Sequence, residues 1–403
     1  TYNMSDALKG IKVLDLSMFL SGPRTSQLLA DFGAEVVKVE PPEGETMRLW
    51  MMMVPHMKDA MTHWHRNKKC ISLNIRNPEG ADLLRKMVGE FDVLIENLAP
   101  GTLDKLGLSY NDLIKVNPRL IYCSISGFGK DAPYSHRVAF DIIAQATGGI
   151  MSAMGLEHRP PGVFFGDLVS GAYAAMGILT ALRHRDKTGE GQLVDISMQD
   201  VMYFHNFAAI ESRMKKDYVL KEGERELNII KLLAGEEGTP MWRSYKAKDG
   251  YVAMVFLTDR QWKAMCDIMG HPEYKDDPRF SDIIHRVRNG DQVEGIINEF
   301  MKDKSADEIE KALDEARIPC GQVRDVIGVN DDPNLVARGM IDELEHEDGH
   351  KIPLPGIPIK LSKSPGKINT TCPEVGENNE EIYKKYLGFS EEDVRQLKEK
   401  GAI

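Results

Sequence analysis

One carboxylate in this chain stands where it could act as a nucleophile. Asp167 follows Phe164, Phe165 and Gly166 and directly precedes a strongly apolar helical stretch, Ser170–Arg185. The positive end of a helix dipole favours an ionised carboxylate, and an ionised carboxylate can attack an activated acyl group. Gly166 beside it leaves room for a ligand to approach. A plainer account also exists. Asp is a preferred N-cap, worth about 1 kcal/mol, and taken alone the cap explains the residue.

Other candidates are weaker. Lys68, Lys69 and Arg76 surround a short apolar segment, with Lys105 and Arg137 further on. Such a cluster is either a phosphate site or, more simply, a solvated face. His63 and His65 flank Trp64 and, two apart, would share one face of a strand, where ordinary packing accounts for both. No Ser–His–Asp order and no HExxH pattern supports a hydrolase or a zinc site, so no metal ligand is assigned. The five cysteines, Cys70, Cys123, Cys266, Cys320 and Cys372, are scattered, with no pair at metal-ligand spacing and no pattern of a disulfide framework.

The elements that must position these residues follow from hydrophobic periodicity. Ile11–Ser17 reads as a buried strand, Ser21-Gly22-Pro23 as a turn, Arg24–Asp31 as a helix and Glu35–Val39 as a second strand. Helix Pro78–Glu90, strand Asp92–Glu96, helix Tyr110–Val116, strand Leu120–Ser126 and strand Gly191–Ser197 continue the alternation. Strands alternating with helices at this spacing predict an α/β fold, a Rossmann-like large domain with a parallel sheet wound on both faces. Glu40 ends the second strand, where an acid could hold a ribose hydroxyl, but the glycines of a dinucleotide fingerprint are missing.

Beyond residue 200 the character changes. The large domain is expected over 1–200, linker helices over 201–240, a smaller α/β domain over 241–325, and an arm over 326–403 that returns to the large domain. In the small domain, Ser244–Leu257 reads as a hairpin turning at Lys248-Asp249-Gly250, followed by helices at 259–269, 291–302 and 305–316. The arm is rich in Pro and Gly and closes with a charged helix, Ser390–Lys400.

Composition sets the outer limits. With 403 residues, 42% apolar and 28% charged, the chain is an ordinary globular sequence. A net charge of −11 argues against general nucleic-acid binding. No apolar run approaches the roughly 18 residues of a membrane span. The first residues carry neither a basic start nor an apolar leader, which makes a cytoplasmic location the expectation.

The ordered motifs resemble one family over nearly the whole chain. They are Leu8-Lys9-Gly10-Ile11-Lys12-Val13-Leu14-Asp15, Gly22-Pro23, Leu29–Glu40, Asn67-Lys68-Lys69, Glu96-Asn97, Pro100-Gly101, Leu106-Gly107 and Asn117-Pro118. Ser126-Gly127-Phe128-Gly129, Gly166-Asp167, Thr188–Gln192 and Ile318-Pro319-Cys320-Gly321 complete the set. Together they resemble the class III CoA-transferases, also called the CaiB–BaiF or formyl-CoA transferase family.

The resemblance implies an interlocked homodimer of ring-like subunits that act on an acyl-CoA and a carboxylic acid. Coenzyme A is then a substrate, and no cofactor is held permanently. It implies that Asp167 forms an acyl anhydride and then an aspartyl-CoA thioester. It assigns CoA contacts to Leu73, Asn74, Arg76, Asn97, Lys105 and Arg137, the last near the nucleotide phosphates. Phe19, Leu20, Phe140 and Gly166 would form the substrate pocket, and Met51–Met53, Met57 and Met61 either line an adaptable pocket or pack a loop. Some members carry an arginine where Pro41 stands. The fold also serves α-methylacyl-CoA racemases, but these have a histidine where Phe140 precedes Asp141, and a phenyl ring cannot move a proton. An inactive CoA-binding protein is the other alternative. Phe19 and Leu20 present an apolar wall where oxalate-using members have a glutamine at the position of Leu20, and no glycine-rich loop stands near 235–245. A larger aliphatic, hydroxylated or aromatic acid is therefore the expected acceptor.

Overall fold

The computed structural model describes residues 7–57, 59–216, 218, 239–346 and 348–403. The chain divides into two compact units. One combines the residues through Asn206 with Pro333–Ile403, and the other is Phe207–Asp332. Boundaries were expected after 200 and after 325; the division falls after Asn206 and after Asp332, and the part of the expected linker over 219–238 lies outside the described residues.

The first unit is built on six strands: β1 (Lys12–Asp15), β2 (Glu35–Glu40), β3 (Lys68–Ser72), β4 (Val93–Glu96), β5 (Ile121–Ser126) and β6 (Gln192–Ser197). Every neighbouring pair is parallel, in the order β3-β2-β1-β4-β5-β6. Strand alternation divides the core between two faces. Leu14, Val37 and Leu94 pack in one apolar cluster, whereas Val13, Val36, Val93 and Ile95 pack in the other. Burial on both faces is why these strands read as continuous runs of Val, Ile and Leu. The order of strands reverses between β1 and β4. A crevice opens there at the carboxyl ends, the place where open α/β sheets bind ligands.

Five helices matter for that crevice: α1 (Ser21–Ala30), α2 (Pro78–Val88), α3 (Asp141–Thr147), α4 (Phe165–Thr188) and α5 (Met198–Phe204). Helix α1 begins three residues earlier than the sequence indicated, because Ser21-Gly22-Pro23 is its first turn rather than a loop. Proline is tolerated there, where backbone N–H groups lack intrahelical partners anyway. Helix α4 likewise begins at Phe165 rather than Ser170. It is long and apolar enough to reach across a membrane, although no segment was expected to be, and half of that apolar stretch is buried. Its buried residues Ala174, Ile178 and Ala181 belong to the core beneath the sheet, as a core helix requires.

The second unit has an antiparallel sheet, β7 (Trp242–Lys246), β8 (Tyr251–Val255) and β9 (Cys320–Gln322). Helices Asp259–Met269, Gly290–Met301 and Ala306–Glu315 bury Trp262, Met265, Val293, Ile297, Ile309 and Leu313. Capping boxes at Thr258/Gln261 and Ser305/Glu308 start the first and last of these helices.

The arm is more structured than its Pro and Gly content indicated. It forms a hairpin, β10 (Ile341–Glu345) and β11 (Lys351–Pro355), and a helix, α6 (Asn379–Leu387), before the closing helix Glu391–Glu399. At the hairpin turn, His350 sets one ring nitrogen against Asp348 and the other 3.1 Å from Asp59.

Candidate active site

The crevice is framed by the loops that leave β1 and β4. Asn97 joins them. Its Oδ1 accepts from the Met18 N–H at 2.8 Å, and its Nδ2 donates to the Met18 carbonyl at 2.7 Å and to Ser21 Oγ at 3.0 Å. Phe19 has a left-handed backbone, φ 61°, which costs a non-glycine residue about 1 kcal/mol or more. Its N–H is held by Glu45 Oε2 at 3.0 Å. Glu45 is fully buried, with His65 3.1 Å away and Lys38 3.9 Å away.

Asp167 enters the crevice from the first turn of α4. It is the third helical residue; the cap position belongs to Phe164, and no side chain caps the helix. Close packing of α1 on α4 fixes its place. The Thr25 hydroxyl donates to the Gly171 carbonyl at 3.1 Å, and a Cβ on Gly171 would come within 2.6 Å of the Ser21 carbonyl. The Asp167 N–H donates to Asp141 Oδ1 at 3.1 Å. Gln145 in turn donates to Asp141 Oδ2 at 2.7 Å and to the Val163 carbonyl at 2.9 Å.

These contacts change the expected charge of Asp167. Only 8% exposed, its carboxyl is pushed up to about 7, first by burial and then by the neighbouring Asp141 carboxylate, while a hydrogen bond with Ser21 works in the opposite direction. Burial therefore outweighs the helix dipole, and near neutral pH the group sits between its two protonation states.

Asp167 lines a cleft of about 330 Å³ together with Met18, Phe19, Ser21, Asn97, Arg137 and Phe140. The Phe19 ring meets Phe140 edge-on at 5.2 Å and Trp50 at 5.9 Å, making one wall apolar. Arg137 lies over the rings of Phe128 and Tyr134, at 5.1 and 5.0 Å. A second cleft of about 310 Å³ contains Leu73, Asn74 and Arg76, and Met18 and Leu98 line both clefts. A third, larger cavity of about 660 Å³ lies across the Leu98–Pro100 segment, around the buried Glu96. It lacks Asp167.

Comparison with known proteins gives the family. The sequence profile of CoA-transferase family III matches residues 8–379. The chain belongs to the family III CoA-transferases. It is 34% identical to the succinyl-CoA–D-citramalate CoA-transferase of Chloroflexus aurantiacus, over 98% of both chains. It is also 34% identical to the formyl-CoA:oxalate CoA-transferase of Streptomyces avermitilis, over 99% of this chain and 100% of the other. The crystal structure of a CAIB/BAIF family protein from Brucella suis superposes with a TM-score of 0.78 at 33% identity, covering 95% of this chain and all of the other. This CoA-transferase therefore takes CoA thioesters as substrates.

The expected site residues of the CoA-transferase fall into three groups. Phe19, Asn97, Arg137, Phe140 and Asp167 share the first cleft, and Leu73, Asn74 and Arg76 share the second. Arg137 thus stands with Asp167 rather than with Arg76. Lys105 lines neither cleft, although Thr102 and Leu106 on either side of it line the second. Leu20 does not form the pocket wall; it is 4% exposed and turned into the core. Gly166 gives no room to a ligand, because a Cβ there would lie 3.0 Å from the Asp141 carbonyl and carboxylate.

The other cations and acids are committed to structure. Lys68 is buried against Asp15 at 3.0 Å, Lys69 pairs with Glu381, and Glu40 is buried against Arg48 at 2.7 Å. His63 and His65 lie on a short helix, Thr62–His65, and not on a strand. His65 is buried, and His63 lies 3.1 Å from Arg24. Met51, Met52, Met53, Met57 and Met61 line none of the three cavities. Sequence reasoning missed Ser21 and Glu45 in the site. Ser21 was read as part of a turn, and nothing local marks Glu45 as the partner of a backbone 26 residues away.

Proposed function

We propose that this CoA-transferase moves CoA from an acyl-CoA to a carboxylic acid through covalent intermediates on Asp167. The observation that carries the reading is a buried carboxylate lining a cleft at the switch point, beside a second cleft suited to the nucleotide end of CoA. Asn74, Leu73 and Arg76 would hold that end, with Lys105 beside this cleft, between the lining residues Thr102 and Leu106. The pantetheine arm would pass Met18 and Leu98, which border both clefts, and Arg137 would face the acyl end.

The steps balance without redox or metal chemistry. An Asp167 oxygen attacks the thioester carbonyl, the C–S bond breaks, and CoA leaves as thiolate, giving a mixed anhydride. The thiolate attacks the Asp167 carbonyl of that anhydride, and the donor acid leaves as carboxylate, giving an aspartyl-CoA thioester. The acceptor carboxylate then attacks the Asp167 carbonyl and expels thiolate. Attack of the thiolate on the acceptor carbonyl forms the new acyl-CoA and returns Asp167 as carboxylate. Each anhydride must be kept from water, which the apolar Phe19–Phe140 wall favours.

The same wall bears on the acceptor. A small dianion taken out of water needs polar partners on every side. Phe19 and Phe140 offer none, so a larger aliphatic, hydroxylated or aromatic acid suits the cleft better than oxalate. Two of the similar proteins, named for citramalate and for oxalate, span this choice. A homodimer is part of the same reading, supported by exposed apolar side chains on α4 and α5, Met176, Leu179 and Phe204. The test is transfer of CoA from succinyl-CoA to isotopically labelled acids in competition. Labelled thioesters of larger acids are expected to exceed oxalyl-CoA, and oxalate as the best acceptor would overturn the assignment of substrate.

A further inference from the structure

Asn97 fixes more than the loops around it, because its orientation settles the direction of a hydrogen-bond chain. Its Oδ1 accepts from the Met18 N–H, and flipping the amide would bring Nδ2 to that place and set two donors against each other. The Nδ2 is therefore the atom 3.0 Å from Ser21 Oγ, and an amide nitrogen can only donate. Ser21 Oγ accepts that bond and keeps its own proton to give. Ser21 is 2% exposed at the first residue of α1, lines the cleft with Asp167 where α1 packs on α4, and its hydroxyl acts to lower the pKa of the Asp167 carboxyl.

We propose that Ser21 is a positioning residue for the reaction. Directed by Asn97, its hydroxyl donates to Asp167 and holds one carboxylate oxygen, leaving the other to face the acyl carbon. The chain Asn97–Ser21–Asp167 links the loop after β4, the start of α1 and the start of α4, three segments far apart in sequence. The inference deepens the proposed function and rests on it for the role of Asp167 as nucleophile.

Other groups around Asp167 set the background. Asp141 on α3 presses against it, Arg137 lines the same cleft, Arg24 lies further along α1, and Asp200 and His205 belong to the α5 region. Among these charged or titratable groups, Asp141 is the one whose field acts on the Asp167 carboxyl. The hydroxyl of Ser21 opposes it, since a bond donated to a carboxylate favours the charged form.

The test reads Asp167 directly, without substrate. The infrared band of its protonated carboxyl, identified as the band that Asp167→Asn lacks, is followed against pH in the wild type, Ser21→Ala and Ser21→Cys. Ser21→Ala is expected to raise the midpoint by about one pH unit, a tenfold change in proton affinity. The thiol of Ser21→Cys is a weak donor of similar volume and gives a smaller rise. A Ser21→Ala midpoint equal to the wild type overturns the proposal. Acyl transfer separates the two claims. If the band moves but the acid limb of kcat/KM does not, Asp167 is not the nucleophile, whereas transfer through Asp167 with an unmoved band leaves the reaction standing without Ser21.

Discussion

The proposed role requires Asp167 to be buried to protect an anhydride and ionised to form one, and these demands oppose each other. Its pKa of about 7 records the compromise. Asp167→Asn keeps the shape but removes the nucleophile, and should lower acyl transfer on the order of 10³-fold or more. The same substitution should stabilise the fold. A carboxyl whose folded pKa lies above its unfolded value binds the extra proton in the folded state, so stability falls as pH rises from about 4 to 7 and stays low above. Asp167→Asn should therefore gain on the order of 4 kcal/mol at pH 8 and little near pH 4. Urea unfolding at both pH values checks this, and an equal effect at both would contradict the assigned charge. In the free enzyme, transfer should also decline as pH falls through about 7.

The contact of α1 with α4 sets the distance between Ser21 and Asp167. Gly171→Ala would force its Cβ toward the Ser21 carbonyl and to 3.0 Å from the Arg24 side chain. Overpacking of this kind costs about 1–3 kcal/mol. Thermal unfolding should show a clear fall in Tm, together with a loss in kcat larger than any change in KM. An unchanged Tm would mean that the helices separate freely. Much at this scale was legible from local pattern. The six parallel strands announced themselves as short apolar runs, and the helices expected at 259–269 and 305–316 stand close to where they were placed. Two boundaries were not legible, because Pro23 and Gly166, usually signs of a turn, sit in first helical turns where neither breaks an intrahelical bond. The bonds that complete the site were hidden for another reason. Asn97 to Ser21 spans 76 residues and Glu45 to Phe19 spans 26, and no local period reports such pairings.

Across the first unit, the C-terminal arm closes the sheet that presents both clefts. Asn379 receives the Ser72 N–H at 2.9 Å and donates to the Ser72 hydroxyl at 2.8 Å, while the Tyr383 hydroxyl donates to the Ser72 carbonyl at 2.7 Å. The Asn74 N–H, at the edge of the second cleft, donates to the Ala402 carbonyl at 2.8 Å. The last residues thus shape the proposed nucleotide site from far away in sequence, which the expected arm anticipated only as a returning segment. Tyr383→Phe should cost about 1 kcal/mol, read by urea unfolding. Removing residues 401–403 should raise KM for acyl-CoA several-fold, with kcat changed less. Equal losses in both constants would show that the arm supports the chemistry rather than CoA binding.

The central claim is a covalent bond at Asp167. The protein, incubated with acyl-CoA and quenched with hydroxylamine, is digested and the peptide containing Asp167 is weighed. A hydroxamate on Asp167, formed with acyl-CoA and absent from Asp167→Asn, is the predicted result. Steady CoA transfer with an unmodified Asp167 peptide would contradict it.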